Sequence, residues 1–186
     1  MKLKLQNVRC AFLKVFKAEA VNGGDKPVFG TTLLIDPKDP QIKVIKETLM
    51  AVAKEKWGAK AAGIYKELEA GGKLCFKNGD SKASYEGFEG MMFISSTSAT
   101  RPLTLNRDKS PVVEEDGVLY SGCYVNASLE IWAQDNAYGK RINAQLGGVQ
   151  FYKDGDAFSG GGSAADESDF DDLGDGADAD DMADLA

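Results

Sequence analysis

Between Val118 and Lys153 apolar and polar residues alternate on both sides of a single turn, and no other stretch limits the possible folds as strongly. In VLYSGCYVNASLEIWAQ the odd positions Leu119, Cys123, Val125, Ala127, Leu129 and Ile131 are apolar, the period of a strand with one buried face. After the turn DNAYG, the segment KRINAQLGGVQFYK places Ile142, Ala144 and Leu146 on the inner parity and Arg141, Asn143 and Gln145 on the outer. Gly147–Gly148 then shifts the phase, so that Val149 and Phe151 face inward and Gln150 and Tyr152 outward. The pattern predicts an antiparallel hairpin that closes the body of the protein. Its outer surface collects Tyr120, Tyr124, Asn126, Ser128 and Trp132 on the first strand, aromatics set among polar groups.

The preceding residues supply more strands and one helical interruption. KLKLQNVRCAFLKVFK carries Leu3 and Leu5 on one parity and Val8, Cys10, Phe12 and Phe16 on the other, which predicts a long strand with a bulge near Gln6–Asn7. VFGTTLLID is a second strand, joined to the first through the turn signal VNGGDKP. Ile42, Ile45, Leu49 and Val52 follow at helical spacing, with Lys43, Lys46, Lys54 and Lys56 on the other face. A second helical stretch near Ala59–Ala70 ends at Gly71–Gly72. KLCFK and MMFISSTSAT then lead into RPLTLNRDKSPVVEEDG, whose Pro102 and Pro111 predict a long, mobile loop. Antiparallel strands, a helical insertion and a displayed aromatic face predict a mainly β fold compatible with a Greek-key barrel of the OB type, over residues 1–158.

Charge divides the chain at the same boundary. Residues 159–186 are built almost entirely from Gly, Ala, Ser and Asp and hold ten of the 29 acidic residues and none of the 22 basic ones. Such a segment cannot bury a core and is expected to be a disordered tail, hinged at Gly160–Gly162. The body keeps 22 basic against 19 acidic residues, so a mildly cationic domain carries a strongly anionic appendage. Asp169, Phe170, Asp171, Asp172, Asp180, Asp181 and Leu185 combine acids with spaced apolar residues, the composition of a peptide that docks in a basic-rimmed groove of a partner protein. An anionic tether beside a cationic body would also compete with nucleic acid for the same cations.

Composition narrows the chemistry. The chain has no histidine, the commonest general base and metal ligand, and no clustered carboxylate motif in its body, so no catalytic residue, metal or cofactor is expected. Cys10, Cys75 and Cys123 are isolated in apolar stretches and read as reduced core residues. No uncharged run approaches the ~20 residues of a membrane-spanning helix. A surface mixing Tyr, Trp, Arg, Asn and Gln suits unpaired nucleic acid, because bases stack on aromatic faces and cations hold phosphates. The same aromatics could instead pad a sheet or dock protein, as in an acidic-tailed interaction or chaperone module; a carboxylate-metal nuclease is a third class.

SGCYVNASLEIWAQDNAYGKRINAQLGGVQFYKDGDAFSGGG closely resembles the closing segment of a family of phage single-stranded-DNA-binding proteins. NVRCAFLKVF and FGTTLLID are similar to that family's first strands. The resemblance implies an OB barrel that coats single strands in replication, recombination and repair. Its acidic tail would contact phage or host replication and recombination proteins, and the chain would work in the cytoplasm of the host cell. It makes Tyr124, Trp132, Tyr138, Lys140 and Arg141 the leading DNA contacts, with Tyr120, Asn143 and Tyr152 added from the predicted outer face. An exposed edge strand, or the tail of a neighbour, could each build a homodimer.

Overall fold

The computed structural model describes residues 1–20, 24 and 26–158. The tail, including Asp169, Phe170, Asp171, Asp172, Asp180, Asp181 and Leu185, lies outside the described residues, as does the Asn22–Gly23 pair.

The first strand, β1 (Lys2–Glu19), is 18 residues long and cannot lie flat in a small barrel. It bends twice. Pairing with the strand β6 (Tyr124–Asn136) slips between Leu5 and Val8, where Asn7 has a φ of 50°, at the predicted bulge. The polar groups freed there are met locally. The Gln41 side chain accepts from the Gln6 N–H at 2.8 Å and donates to the Gln6 carbonyl at 2.9 Å, while Asn126 Oδ1 accepts from the Asn7 N–H at 3.0 Å. The second bend differs from the sequence reading. Pairing with β2 (Val28–Ile35) slips between Ala11 and Lys14, and Phe12 takes a φ of 49°. Phe12 thus leaves the inner parity assigned to it and stands exposed.

Helices α1 (Gln41–Trp57) and α2 (Ala61–Ala70) follow β2, bounded near the predicted limits. Ile45, Leu49, Val52 and Ala53 of α1 and Ala61, Tyr65 and Leu68 of α2 join Leu33, Ile94, Leu129, Ile131 and Ile142 in one buried cluster. Each buried aliphatic side chain contributes about 1.5–3 kcal/mol relative to exposure, so the amphipathic face is what holds the helices on the barrel. The short strand β3 (Phe76–Asn78) and β4 (Met92–Ser98) continue the sheet.

The loop expected to be mobile is anchored. It contains β5 (Leu103–Leu105), which pairs in parallel with β7 (Gly139–Lys153) from Leu103↔Gly148 to Leu105↔Gln150, and Pro111 bridges back to Leu105. Parallel addition of a three-residue strand leaves no period to read in the sequence. The Gly147–Gly148 pair does shift the phase: Ser128 faces Gly148 while Leu129 faces Leu146. A Cβ on Gly148 would stand 3.0 Å from Leu103 Cβ and carbonyl oxygen, so any larger residue would press β5 outward.

The sheet order is β3-β4-β2-β1-β6-β7-β5, and a parallel pairing of β4 with β7 at Thr97↔Gln145 closes β1, β2, β4, β6 and β7 into a barrel. This is the five-stranded closure of an OB barrel, the mainly β architecture expected. A smaller apolar cluster of Ala11, Leu34, Phe88 and Phe93, with Met91 and Phe158 against it, sits on the outer side of β1, β2 and β4. Cys10, Cys75 and Cys123 are free and buried, as expected. The Cys10 and Cys123 thiols lie 3.6 Å apart, and that hydrogen bond, together with burial, pushes Cys10 well up from its ordinary value. No helix among the described residues is long and apolar enough to cross a membrane.

Candidate nucleic-acid interface

The register places the outward side chains of four strands in one band. Lys14 on β1 and Thr97 on β4 face out on either side of Gly30 of β2, which pairs with both, and Thr97 abuts Gln145 of β7, whose outward neighbours are Asn143 and Arg141. Trp132 pairs with Asn143 from β6, and Lys77 pairs with Phe93 from β3. The result is a groove of ≈ 530 Å³ in which Trp132, Arg141, Asn143, Lys73 and Lys77 surround the polar floor made by Ser95 and Thr97. Across that floor it continues into a second stretch walled by Lys14, Lys82, Phe12 and Tyr85. Among the described residues neither stretch is lined by an Asp or Glu, although Glu19 sits 2.9 Å from Lys14 at the edge of the second.

The cations of the first stretch are unneutralised. Lys73, Lys77 and Arg141 make no ion pair among the described residues. Burial lowers the Lys77 ammonium from its ordinary range, and the neighbouring charges of Lys82 and Arg141 lower it further. The part of the shift that comes from Lys82 and Arg141 reports a local positive potential, which attracts anions. Cys75 also lines this stretch, but burial pushes its thiol up to about 12, so it offers no thiolate for chemistry. At the groove's end, Asp135 accepts from Trp57 Nε1 at 2.8 Å and sits 3.3 Å from Lys140, which ties the β6–β7 turn to α1. The hydrogen bond from Trp57 is the main reason the Asp135 carboxyl lies below its ordinary value, with Lys140 and Lys56 adding to it.

A family model described as the ssDNA-binding protein of Enterobacter phage Enc34 matches residues 1–183. The chain belongs to this phage ssDNA-binding protein family. "Putative protein p50" of Acyrthosiphon pisum secondary endosymbiont phage 1 is 44% identical over 177 residues, covering 93% of this chain and 94% of that protein. Among solved structures, the single-stranded DNA-binding protein from bacteriophage Enc34 in complex with ssDNA is 30% identical, with a TM-score of 0.68 over 84% of this chain and 88% of that one. Gp2.5, a single-stranded DNA-binding protein encoded by bacteriophage T7, is similar in fold, with a TM-score of 0.58 at 13% identity over 89% of this chain and 97% of that one.

In this member of the phage ssDNA-binding family the sequence-predicted contacts fall into three groups. Trp132, Arg141 and Asn143 come together in the groove. Tyr138, 89% exposed, and Lys140 stand on the adjoining β6–β7 turn. Tyr124, Tyr152 and Tyr120 do not line it. Tyr124 lies under Lys153, whose ammonium is 4.6 Å from the ring centroid, and beside Gly155, where a Cβ would crowd that ring. Tyr120 is not on a strand at all. β6 begins only at Tyr124, because residues 118–123 turn back against β1, with the Gly122 N–H donating to the Cys10 carbonyl at 2.8 Å. The Tyr120 hydroxyl donates to Asp154 at 2.7 Å, a tie to the segment that follows β7. Sequence reasoning missed Lys73, Lys77, Lys82, Phe12 and Tyr85. All but Phe12 sit in short, turn-rich segments without a period, and the one available signal was the density of Lys in KLCFK and KNGDSK.

Proposed function

We propose that this protein coats single-stranded DNA along the groove across β2, β4 and β7, in phage replication, recombination and repair. The tail 159–186 competes for the groove cations and recruits replication and recombination proteins. The observation that carries the reading is a groove stretch in which Trp132 stands with Lys73, Lys77 and Arg141 and no carboxylate lines the wall among the described residues, on a chain whose relative from phage Enc34 has been solved with ssDNA. Bases stack on Trp132 while Arg141, Lys77 and Lys73 neutralise phosphates, with Asn143 and Gln145 as sequence-tolerant hydrogen-bonding groups. Nothing in this mechanism requires bond-breaking chemistry, so the role is that of a binding protein.

Fluorescence titration with oligo-dT at two salt concentrations, following Trp57 and Trp132 with duplex of equal length as control, tests it. Quenching by the single strand that weakens with salt is expected, because phosphate contacts release counterions. Arg141→Ala should reduce the log–log salt slope by about one, and Trp132→Ala should cost about 1–3 kcal/mol of affinity. No binding of the single strand at low salt would move the groove to a protein-docking role.

A further inference from the structure

Phe12 and Tyr85 are odd residues for the surface they occupy. Phe12 is 40% and Tyr85 49% exposed, and their rings meet edge to face with centroids 5.1 Å apart. Phe12 is held at a φ of 49°, a left-handed conformation that a bulky side chain rarely adopts and that glycine would adopt freely. A fold that needed only the bend would be served by glycine; this one keeps an exposed ring there. The backbone around it is fixed, since the Leu13 N–H donates to Ser121 Oγ at 3.0 Å.

Tyr85 is positioned as firmly. Its segment, residues 79–91, folds over the outer face of β1, β2 and β4 with Phe88 buried beneath it, and Phe88 lies 5.8 Å from the Phe12 ring and 5.9 Å from that of Tyr85. Asp80 Oδ1 accepts from the Gly90 N–H at 2.8 Å, closing the segment on itself. Lys82, and Lys14 with its partner Glu19 at 2.9 Å, stand at the same stretch of groove, which shares Ser95 and Thr97 with the stretch that holds Trp132.

We infer that the Phe12–Tyr85 pair is a second base-stacking platform, at the far end of the groove from Trp132, so that one DNA strand spans both aromatic sites across β4. The inference rests on the groove being the path of single-stranded DNA. An edge-to-face pair leaves ring faces open to a base, and cations beside such a platform hold the phosphates that flank it.

The test is an oligo-dT length series of about 4 to 16 nucleotides, the range of OB-fold site sizes, titrated into the full chain and its Tyr85→Leu and Tyr85→Phe variants. A short oligonucleotide occupies one aromatic site at a time and keeps Trp132 available in every variant, so all three should bind it nearly alike. Beyond the length that spans the groove, Tyr85→Leu should fall about tenfold behind while Tyr85→Phe keeps pace, the loss of one stacked base. Equal affinities at every length would overturn the inference, as would a loss in Tyr85→Leu already present for the shortest strand. Tighter binding by Tyr85→Leu would also overturn it, since the pair would then be holding something DNA displaces. Each of these leaves the Trp132 groove standing, whereas no single-strand binding by the unsubstituted chain takes down both readings.

Discussion

At the scale of single residues, the proposed DNA path is marked by charges left without ion-pair partners among the described residues. Lys14 and Lys140 have carboxylates at 2.9 and 3.3 Å, whereas Lys77 has no ion pair among the described residues and is lowered by burial and by Lys82 and Arg141, against a smaller raising effect of Cys75. A phosphate beside Lys77 favours its charged form, so binding DNA raises its pKa from a lowered starting point and takes up protons. Affinity is therefore expected to fall as pH rises through the lowered range of Lys77. Lys77→Arg, which stays charged throughout, should flatten that dependence when affinity is measured by titration across alkaline pH. Trp132, Arg141 and Asn143 were legible in the sequence because alternation along a strand assigns each side chain a face. Lys77 and Tyr85 were not, because a three-residue strand and a turn-rich cap carry no period to read.

At the scale of elements, irregularities do the positioning. The bulge at Asn7 lets the first half of β1 pair with β6 and the second half with β2, and the slip at Phe12 carries an aromatic to the outer surface. Gly148 lets β5 lie against β7, and a branched side chain there has nowhere to go. Gly148→Val is expected to push β5 off and to cost about 1–3 kcal/mol of stability in denaturant unfolding. Faster amide exchange at Leu103–Leu105 should accompany it, with the hairpin of β6 and β7 unchanged. The hairpin, the first bulge and both helices were legible from their periodicities. The loop that became β5 was not, since its pairing is with residues more than 40 positions away. Nor was the turn at 118–123, since its alternating letters continue the strand pattern while Gly122, at a φ of 111°, breaks it.

At the scale of the whole molecule, the proposed competition between tail and DNA predicts a particular response to salt. Removing residues 159–186 leaves 22 basic against 19 acidic residues, and the truncated chain is expected to bind oligo-dT more tightly at low salt. The advantage should shrink as salt rises, because screening over about 8–10 Å at physiological ionic strength weakens tail and DNA alike. An unchanged affinity at low salt would remove the competitive role of the tail and leave only recruitment. The described residues lead the chain to the tail at Phe158, whose ring lies 4.1 Å under the Arg9 guanidinium and whose N–H donates to the Ser121 carbonyl at 3.0 Å. That anchorage sets the tail's root beside the Phe12–Tyr85 end of the groove.

The sequence by itself determined the class of fold, the faces of the closing hairpin, the helical insertion and the separation of a cationic body from an anionic tail. These follow from local rules, a period of two or 3.6 residues and a count of charges, that do not depend on neighbours distant in the chain. Tertiary structure alone decided which outward residues share a groove. Closing β4 onto β7 brings Lys77, Ser95, Thr97 and Arg141 together, and the slip in β1 delivers Phe12 to the same band. A sheet's curvature and closure depend on contacts distant in sequence, and the proposed binding surface is where those contacts converge.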